Sequence, residues 1–546
     1  MNNNKLLNQL IKKKPSLYLL KNYKIRGKPI TFMNDKNLQA HRPWQIGIVD
    51  DNHPDKVVRK SRQLGLTEIG VAEMLWFADT HSNVKAMFVF PRDRQVKDFV
   101  KTRMNPAIED SEYFSSIIDK QFDSIEVKKV RDSFMLFRAP GKEGALGEGA
   151  DIDYLSLDEY DRLPEGIEYI FQESMKSSRY GFLRRWSTPT LPSVGIDAQF
   201  QKSDQRFYMI KCQSCNHWQI LNVEDNIMQI DPKGIDYASE TIKPGTFEFV
   251  CAKCRKPLDR TYGEWVAKYP SRKSIRGYHI SQLNAVWISA DDIKKREMRY
   301  TSKQLFYNYV IGEPYVNEGM IITEQDLLGA VRFESPKLHR NEYSFVVAGI
   351  DWGVTNWLVL MGLKESGEMD ILNMYYFRDN PFKPLEAVNQ IALTIKPYNP
   401  ELIIADEGFG ADRNAALMTI FPGKVWACRY KTYKGQAQIK DNWNETQRLV
   451  TVDKTLKVQR LIHAIKAQKF GIWQPDEKFK IIYKHLYNTR IMDEEDTETG
   501  QVYPIARRLG DDHTASALIY CMVGLERKTQ PFKKKSNQQK FYFDFW

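Results

Sequence analysis

The feature that most constrains this chain is a polar loop after one apolar strand, combined with two adjacent carboxylates that end a later strand. The loop, Lys60–Thr67, lies between the strand at Val57-Val58 and a helical pattern that begins near Ile69. The carboxylates end the run Leu155–Glu159. In a doubly wound sheet this combination forms a nucleoside triphosphate site, because loop amides and a lysine hold the phosphates while the two acids order Mg²⁺ and the attacking water. The sequence therefore predicts an ATP site.

The predicted phosphate loop departs from the usual G-x-x-x-x-G-K-[ST] form, because Leu66 stands where a lysine normally precedes Thr67. Lys60, at the start of the loop, can fold back to the β- and γ-phosphates on its flexible stem, and Arg62 adds a guanidinium. Thr67 offers a hydroxyl to Mg²⁺, and Gly65 allows the backbone to approach the phosphates. The open alternative is a basic turn between a strand and a helix.

The carboxylate pair is costly to bury at a strand end unless a cation neutralises it. We expect Asp158 to hold Mg²⁺ through water and Glu159 to orient the hydrolytic water. The alternative is a solvated strand end, which the neighbouring Asp161 and Arg162 favour.

Further positions fit the same predicted site. Ser187 and Thr188 follow the strand Leu183–Trp186, and hydroxyls there can sense the γ-phosphate, although an ordinary turn explains them equally well. Gln45 carries an amide whose donor and acceptor match the edge of adenine.

Composition limits the classes of protein to consider. A chain of 546 residues is too long for one core, and its 42% hydrophobic and 27% charged residues are typical of a soluble globular protein. The net charge of +11 suits a polyanionic partner such as DNA. No apolar run is long enough to span a membrane, and the start of the chain is not that of a signal peptide.

Four of the six cysteines form two Cys-x-x-Cys pairs, Cys212 with Cys215 and Cys251 with Cys254. Two such pairs predict a structural Zn²⁺ site with four thiolate ligands in a reducing compartment. The long interval between the pairs predicts a hairpin or insertion. Free buried cysteines are the alternative, and His217 is a candidate substitute ligand.

The C-terminal half offers acids at three places: Asp351, the doublet Asp406-Glu407, and the doublet Asp511-Asp512. Three strands (345–350, 357–362 and 370–376), a helix and the strand Leu402–Ala405 follow the order of a ribonuclease-H-like fold. There, three carboxylates can hold two divalent ions about 4 Å apart for phosphodiester hydrolysis. Each acid taken alone is more often a helix cap than a ligand.

Basic residues near these acids could contact DNA phosphates, although most lysine runs are solvated surfaces. The candidates are Lys431, Lys434, Lys457, Arg460 and Lys466.

The predicted fold class is α/β, with a doubly wound, mostly parallel P-loop ATPase domain, a zinc-binding segment and a ribonuclease-H-like nuclease domain. The predicted divisions are an N-terminal arm (1–40), the ATPase domain (41–205), a zinc-binding and linker segment (206–335), the nuclease domain (340–525) and a basic, aromatic C-terminal tail (526–546). The arm is either a segment that docks on a partner or a loosely ordered terminus.

In this order, the motifs resemble the large terminase subunit of tailed bacteriophages, in its lambda-type branch. The resemblance spans about 40–525 and rests on Lys60–Gly65, Leu155–Asp161 with the Gly-rich segment 141–149 before it, Ser187–Thr190, the cysteine pairs, Tyr278–Leu283, Gly312-Glu313-Pro314 and the nuclease acids. It implies an ATP-driven motor that moves double-stranded DNA into a procapsid, and an endonuclease that cuts concatemeric DNA.

The resemblance also implies residue roles, cofactors and partners. It implies nucleotide contacts from Lys60, Arg62, Thr67, Asp158, Ser187 and Thr188, catalysis by Glu159, and nuclease metals on Asp351, Asp406 and Asp511 or Asp512. Gln45, Ser61 and Gly65 are further candidates for nucleotide contact on the residues alone. The implied cofactors are ATP, Mg²⁺ (with Mn²⁺ as an alternative in the nuclease) and structural Zn²⁺. The implied partners are a small terminase subunit, the portal protein and further copies of the chain in a ring, in the host cytoplasm.

Two other classes remain open from the residues alone. A helicase- or repair-type ATP-dependent nuclease would share the ATP site but would not depend on a procapsid. A non-enzymatic, zinc-containing DNA-binding protein would use both sets of acids structurally.

Overall fold

The computed structural model divides the chain into two compact units, Met1–Tyr315 and Val316–Trp546. It describes residues 10–529 apart from 141–150, 165, 238, 301, 381–382, 384, 433–440 and 497–500. The Gly-rich segment 141–149, Lys434 and most of the predicted tail lie outside the described residues.

The described part of the first unit contains helical residues at 10–13 and eleven further α-helices. They are α1 (Pro15–Asn22), α2 (Trp44–Val49), α3 (Leu66–Thr80), α4 (Asp93–Phe99), α5 (Asn105–Glu109), α6 (Glu112–Ile117), α7 (Ile167–Glu173), α8 (Gly195–Lys202), α9 (Val223–Asn226), α10 (Ala290–Arg299) and α11 (Lys303–Phe306).

Its strands are short, as expected where a sheet alternates with helices. They are β1 (Lys24–Ile25), β2 (Lys28–Pro29), β3 (Asp55–Lys60), β4 (Lys85–Val89), β5 (Ile118–Asp119), β6 (Val127–Val130), β7 (Ser133–Arg138), β8 (Tyr154–Asp158), β9 (Phe182–Ser187), β10 (Arg206–Lys211), β11 (Trp218–Gln219), β12 (Ile227–Gln229), β13 (Ile235–Asp236), β14 (Thr241–Ile242), β15 (Phe247–Phe249), β16 (Gly263–Ala267) and β17 (Arg276–Ile280).

One 11-stranded sheet organises this unit, in the order β11-β10-β17-β3-β9-β8-β4-β7-β6-β5, with β16 beside β10. The strands from β10 to β7 in that order run parallel, and the outer ones are antiparallel. Every residue of β8 is buried, which suits a central parallel strand covered on both faces. The parallel order brings the carboxyl ends of β3, β9 and β8 to one edge.

The start of the chain packs into its own unit, in contrast to both alternatives drawn from the sequence. Tyr18, Leu19 and Tyr23 are buried among the core residues of the unit. The Tyr18 hydroxyl donates to Asp79 (2.7 Å), and the Tyr23 hydroxyl donates to Glu68 (2.6 Å). The prediction of a loose or partner-seeking arm was therefore wrong for residues 10–40, because their apolar side chains complete the core beside α3.

The second unit begins well before the polar stretch at 335–341. Its described helices are α12 (Glu324–Leu328), α13 (Glu386–Ile395), α14 (Ala411–Ile420), α15 (Lys454–Lys466), α16 (Glu477–Asn488) and α17 (His513–Thr529). Its strands are β18 (Val331–Phe333), β19 (Tyr343–Asp351), β20 (Thr355–Lys364), β21 (Met369–Arg378), β22 (Leu402–Asp406), β23 (Val425–Lys431), β24 (Asn442–Asn444), β25 (Leu449–Asp453), β26 (Phe470–Trp473), β27 (Thr489–Glu495) and β28 (Val502–Arg508).

A nine-stranded sheet runs through this unit in the order β18-β26-β21-β20-β19-β22-β23-β25-β24. The three long strands β19, β20 and β21 are antiparallel, and β22 then lies parallel to β19. Helix α17 packs on β19, β20 and β22, with Ala517, Leu518 and Cys521 buried. This is the predicted arrangement of a ribonuclease-H-like sheet.

The predicted α/β fold class is confirmed for both units. The first residues of the predicted tail instead belong to α17, which extends to Thr529 and buries Glu526. None of the helices in the described ranges combines the length and apolar character that a membrane crossing requires.

Candidate functional site

The predicted phosphate loop leaves β3 at Lys60 and enters α3 at Leu66. Strand β9 separates β3 from β8, and the register places Arg59 opposite Ser187 and Trp186 opposite Asp158. The loop, the Ser187 segment and the carboxylate pair therefore lie together at one edge of the sheet. We call this edge, with residues Lys60–Thr67, Asp158–Asp161 and Ser187–Thr190, the nucleotide edge.

Distant segments of the chain hold the loop in place. The Ser61 amide donates to the carbonyl of Ile280 (3.0 Å), and the Arg62 amide donates to the carbonyl of Tyr309 (2.8 Å). The Arg62 guanidinium lies 3.4 Å from the centre of the Tyr309 ring. Since these two amides already have acceptors, phosphate binding falls to the later part of the loop.

The later part of the loop is suited to an anion. Gly65 has φ 73° and directly precedes α3, a helix of 15 residues. The first N–H groups of a helix have no acceptor within it, and together with the helix dipole they attract a phosphate. The left-handed backbone at Gly65 explains why a glycine stands there.

The two predicted Mg²⁺-binding side chains meet directly. The Thr67 hydroxyl donates to Asp158 Oδ2 at 2.9 Å. Within the described part of the chain, Asp158 Oδ1 and the Ser61 hydroxyl are buried without a hydrogen-bond partner. Buried polar atoms without partners are rare, so this cluster fits a bound cation and phosphate.

The electrostatics of Asp158 support the same conclusion. Burial raises the pKa of its carboxyl, the Lys60 ammonium lowers it, and the neighbouring Glu159 raises it again. Lys60 therefore acts electrostatically on Asp158, as an ATP site between the loop and this acid requires. A divalent cation would stabilise the charged form of the carboxyl.

Glu159 adopts an unusual backbone conformation, with φ 49° and ψ 46°. A left-handed conformation at a non-glycine residue costs on the order of 1–3 kcal/mol. Its carboxylate accepts from the Gln95 amide (3.0 Å) and from Arg162 (3.3 Å). The strain and the two donors fix the direction of the carboxylate that is proposed to orient water.

Asp161 is a functional candidate to which the sequence alone assigned no chemical role. Its carboxylate accepts from the amide and hydroxyl of Thr190 (2.9 and 2.8 Å) and from the amide of Ile196 (2.6 Å). Its own amide donates to the Ser187 hydroxyl (3.2 Å). Burial raises the pKa of Asp161 to about 6. Asp161 thus ties the carboxylate pair to the segment Ser187–Thr190.

A segment at the end of the first unit contacts both the loop and Thr190. We call Tyr307–Tyr315 the exit segment; it begins with a π-helical turn. The Asn308 amide donates to the carbonyls of Thr190 (3.0 Å) and Glu313 (2.8 Å). A Cβ at Gly312 (φ 72°) would lie 2.6 Å from the Ser61 amide nitrogen. The exit segment therefore braces two parts of the nucleotide edge at once.

Gln45 is buried, and its amide donates to the carbonyl of Leu64 at 3.1 Å. In this structure Gln45 supports the phosphate loop. Its contact with adenine stays a prediction.

The four cysteines form a compact cluster in which all four sulfurs lie within 4.8 Å of one another. The Cys212–Cys254 and Cys215–Cys251 sulfurs are each 3.7 Å apart, close to the spacing of about 3.8 Å that tetrahedral Zn–S bonds produce. The cluster can therefore hold a zinc ion. Paired strands, β12 with β15 and β13 with β14, fill the interval between the cysteine pairs, as predicted.

His217 contributes its backbone to this cluster, since its carbonyl accepts from the Cys212 amide (2.8 Å). Among the residues that the structure describes, the compact cluster contains the cysteines alone.

In the second unit, Asp351 and Asp406 end the neighbouring parallel strands β19 and β22 in register. Asp512, at the start of α17, is buried, and its charge raises the pKa of Asp351. We call Asp351, Asp406 and Asp512 the acid cluster. Among the described residues, only the cysteines bring three or more potential ligand atoms within 4.8 Å, so the acid cluster is more open.

The contacts and exposure of each acid indicate which member of each acidic doublet belongs to the acid cluster. Glu407 forms a two-pronged ion pair with Arg429 (2.5 Å for one contact), whereas Asp406 accepts from the Tyr520 hydroxyl (3.2 Å). Asp511 is exposed, with a side-chain accessibility of 67%. The geometry favours Asp406 and Asp512 over their neighbours.

His513 is a further residue that the sequence reading missed. Its Nδ1 lies 2.8 Å from Asp351 Oδ2, and the hydrogen bond to Asp351 raises the pKa of His513. Burial raises the pKa of Asp351 in spite of this partner. The only signal in the sequence was its place directly after Asp511-Asp512 at the start of a helix.

One of the basic residues predicted to contact DNA does not face solvent. Lys457 is buried, and its ammonium donates to Asp441 (2.8 Å) and to Glu526. Lys466 pairs with Asp326 at 2.9 Å. The prediction was wrong for Lys457, because its charge neutralises two buried acids.

With this geometry established, the family follows from the sequence of the first unit. Residues 37–267 match the family model "Phage terminase large subunit gpA, ATPase domain". This match places a terminase large-subunit ATPase domain in the first unit. ATP is the nucleotide of such a domain. No curated protein sequence matches this chain, and the assignment to the lambda-type branch stays a prediction.

The chain is similar to several solved structures. The large terminase of bacteriophage HK97 has 12% identity and a TM-score of 0.50, covering 94% of this chain and 99% of that chain. A large terminase from a thermophilic bacteriophage has 13% identity and a TM-score of 0.30, covering 86% and 93%. The ATPase domain of the Thermus phage P74-26 large terminase has 12% identity and a TM-score of 0.33, covering 54% and 100%. The similarity to the HK97 structure supports the fold alone, and the TM-scores of the other two structures are too low to support any conclusion.

Proposed function

We propose that this chain hydrolyses ATP at the nucleotide edge to move double-stranded DNA into a procapsid, and that its second unit cuts concatemeric DNA with divalent metal ions. The observation that carries the proposal is the contact between Thr67 and Asp158, beside two buried oxygens that have no partner in the described residues. Two motifs distant in sequence thus meet where a nucleotide and its cation fit.

In this proposal, the residues of the nucleotide edge divide the work of hydrolysis. Lys60 and the first amides of α3 bind the phosphates, and Thr67 and Asp158 hold Mg²⁺. Glu159 orients the attacking water from its fixed conformation. Arg62, Ser187 and Thr188 sense the γ-phosphate, and Asp161 passes a change at Glu159 to Thr190.

In the second unit, Asp351, Asp406 and Asp512 would hold the nuclease metals, Mg²⁺ or Mn²⁺. Such ions supply an activated water and stabilise the leaving oxygen. The three carboxylates of the acid cluster outweigh the charge of His513, which makes the cluster a site for cations. His513 positions Asp351 through its hydrogen bond.

The partners in this proposal rest on the family. They are double-stranded DNA, a small terminase subunit, the portal protein and further copies of the chain in a ring, in the host cytoplasm. The net charge of +11 is favourable for DNA.

Two variants separate the two activities. Lys60→Ala should abolish ATP hydrolysis and DNA uptake while metal-dependent cutting continues, and Asp351→Ala should do the reverse. Lys85→Ala and Asp412→Ala, at exposed positions of the same units, are matched controls. Undiminished ATP hydrolysis by Lys60→Ala would refute the nucleotide assignment, and continued cleavage by Asp351→Ala would refute the nuclease assignment.

Translocation itself needs a separate assay. The purified chain with the small subunit and empty procapsids should protect DNA from added nuclease only when ATP is present. ATP hydrolysis without DNA uptake under these conditions would count against the packaging role.

A further inference from the structure

Two exposed apolar side chains stand beside the acid cluster. Val354 is 86% exposed and Phe409 is 81% exposed. Val354 follows Asp351 and Phe409 follows Asp406, each after a short turn. Because β19 and β22 are parallel neighbours, both turns project from the same edge of the sheet.

The turn that carries Phe409 is firmly held. The Phe409 amide donates to Asp406 Oδ2 (3.2 Å), the Glu407 amide donates to the carbonyl of Cys428 (3.0 Å), and the Gly410 amide donates to the carbonyl of Glu407 (3.2 Å). Gly410 packs against the Trp352 ring with no room for a Cβ. The phenyl ring is thus displayed from a fixed backbone.

The turn that carries Val354 is held in a similar way. The Val354 carbonyl accepts from the Asp379 amide (2.9 Å). The Asn356 side chain bridges the turn, since it accepts from the Gly353 amide (3.4 Å) and donates to Asp379 Oδ1 (2.7 Å). Two well-anchored turns thus keep large apolar groups in water, where such groups are unfavourable.

A ligand for this surface must contain a phosphate, which would contact the metal ions held by the acid cluster. It must also have a flat apolar face, which would contact Phe409. DNA bases are such faces, but they are available to a side chain only where the stack is opened. We infer that Phe409, with Val354 on the turn after the neighbouring strand, stacks on a DNA base that is unstacked next to the phosphodiester to be cut. This inference rests on the proposed nuclease function and assigns a preference for locally opened DNA.

The test uses the full chain and compares Phe409→Ala, Phe409→Trp and Leu393→Ala. Leu393 is an apolar control that is 64% exposed and lies near the end of α13, which leads back toward the start of β22 at the opposite sheet edge. Single-turnover cutting with Mg²⁺ is measured on a fully paired duplex and on the same duplex with a short mismatched bubble.

We expect Phe409→Ala to cut the paired duplex about 10-fold or more slowly, in line with the loss of one base–aromatic stack. The bubble should recover much of the rate, and Phe409→Trp should cut like the unsubstituted chain. With Ca²⁺ in place of Mg²⁺, 2-aminopurine in the bubble should be quenched on binding, but not with Phe409→Ala.

The inference is overturned if Phe409→Ala and Leu393→Ala cut both substrates equally. It is also overturned if Phe409→Ala cuts naked DNA normally but fails only with procapsids, since the ring would then contact a protein. If the unsubstituted chain shows no cutting that Asp351→Ala abolishes, the proposed nuclease function fails instead, which is a distinct result.

Discussion

The nucleotide edge and the acid cluster use the same architectural device and differ in how they are stabilised. Both place carboxylates at the ends of parallel strands. At the nucleotide edge, Asp158 faces Lys60 and Thr67, and hydrogen bonds from distant segments hold the loop. In the acid cluster, Asp351, Asp406 and Asp512 converge, and His513 forms a hydrogen bond with Asp351. The first site is braced by the protein itself, whereas in the second, burial and the neighbouring acids raise the pKa of Asp351.

The largest effect should come from breaking the acid cluster at Asp406. Asp406→Asn should slow DNA cleavage more than about 100-fold, because metal ions contribute several kcal/mol to transition-state stabilisation. Glu407→Gln, which disturbs the adjacent pair with Arg429, is the matched control and should have little effect. A plasmid cleavage assay distinguishes them, and equal loss in both variants would contradict the choice between the two acids.

Removing the zinc site should weaken the nucleotide edge and spare the acid cluster. Strand β10 ends just before Cys212 and pairs with β17, which in turn pairs with β3. Cys251→Ser should therefore lower zinc content and reduce the unfolding midpoint of the first unit by on the order of 10 °C.

Atomic absorption and calorimetry check this prediction, with Ser214→Ala, between the first two cysteines, as control. Full zinc content and an unchanged midpoint in Cys251→Ser would contradict a structural zinc site.

Gly312→Ala tests the brace on the phosphate loop. The added Cβ would press on the Ser61 amide nitrogen (2.6 Å) and the Lys60 carbonyl carbon (2.8 Å). We expect ATP hydrolysis to fall about 10-fold, since small displacements of catalytic groups are costly. Gly245→Ala has a similar φ of +80° with nothing within 4 Å, so it separates backbone strain from contact with the loop. Equal activity in the two variants would show that the brace is dispensable.

The smallest effect concerns Asp161 and pH. Its pKa in the folded chain, about 6, lies above the usual aspartate value. The group therefore favours the folded state most below about pH 4. That contribution is lost as the pH rises through about 6.

When the pH is lowered from 7.5 to 5.5, the free energy of unfolding of the unsubstituted chain should rise relative to that of Asp161→Asn, by less than about 3 kcal/mol. Urea unfolding of both chains at the two pH values measures the difference, and zinc loss affects both alike. A difference that does not change with pH would contradict the raised pKa.

Sequence patterns predicted local features well. The strand ends at Lys60, Asp158, Asp351 and Asp406 all lie where the apolar runs end, because burial of a run fixes the strand and its polar end reaches the sheet edge. The cysteine pairs were equally clear, since their spacing reports the chemistry directly.

What could not be predicted depends on distant contacts. Arg429 pairs with Glu407 and so leaves Asp406 as the member of the acid cluster. The contacts of Asp161 come from Thr190 and Ile196, which lie 29 and 35 residues away in the sequence. The sequence around Lys457 is typical of a surface charge, whereas in the fold Asp441 and Glu526 pair with its ammonium. A periodic pattern describes which side is buried and gives no information on which partner lies there.

The exit segment has a practical consequence for preparing fragments of this protein. A fragment that stopped at 205, or even at the end of the family match at 267, would lack the carbonyls of Ile280 and Tyr309. The Ser61 and Arg62 amides would then lose their acceptors, and the cradle for the triphosphate would collapse or rearrange. We therefore expect the smallest fragment with an intact nucleotide edge to extend to Tyr315.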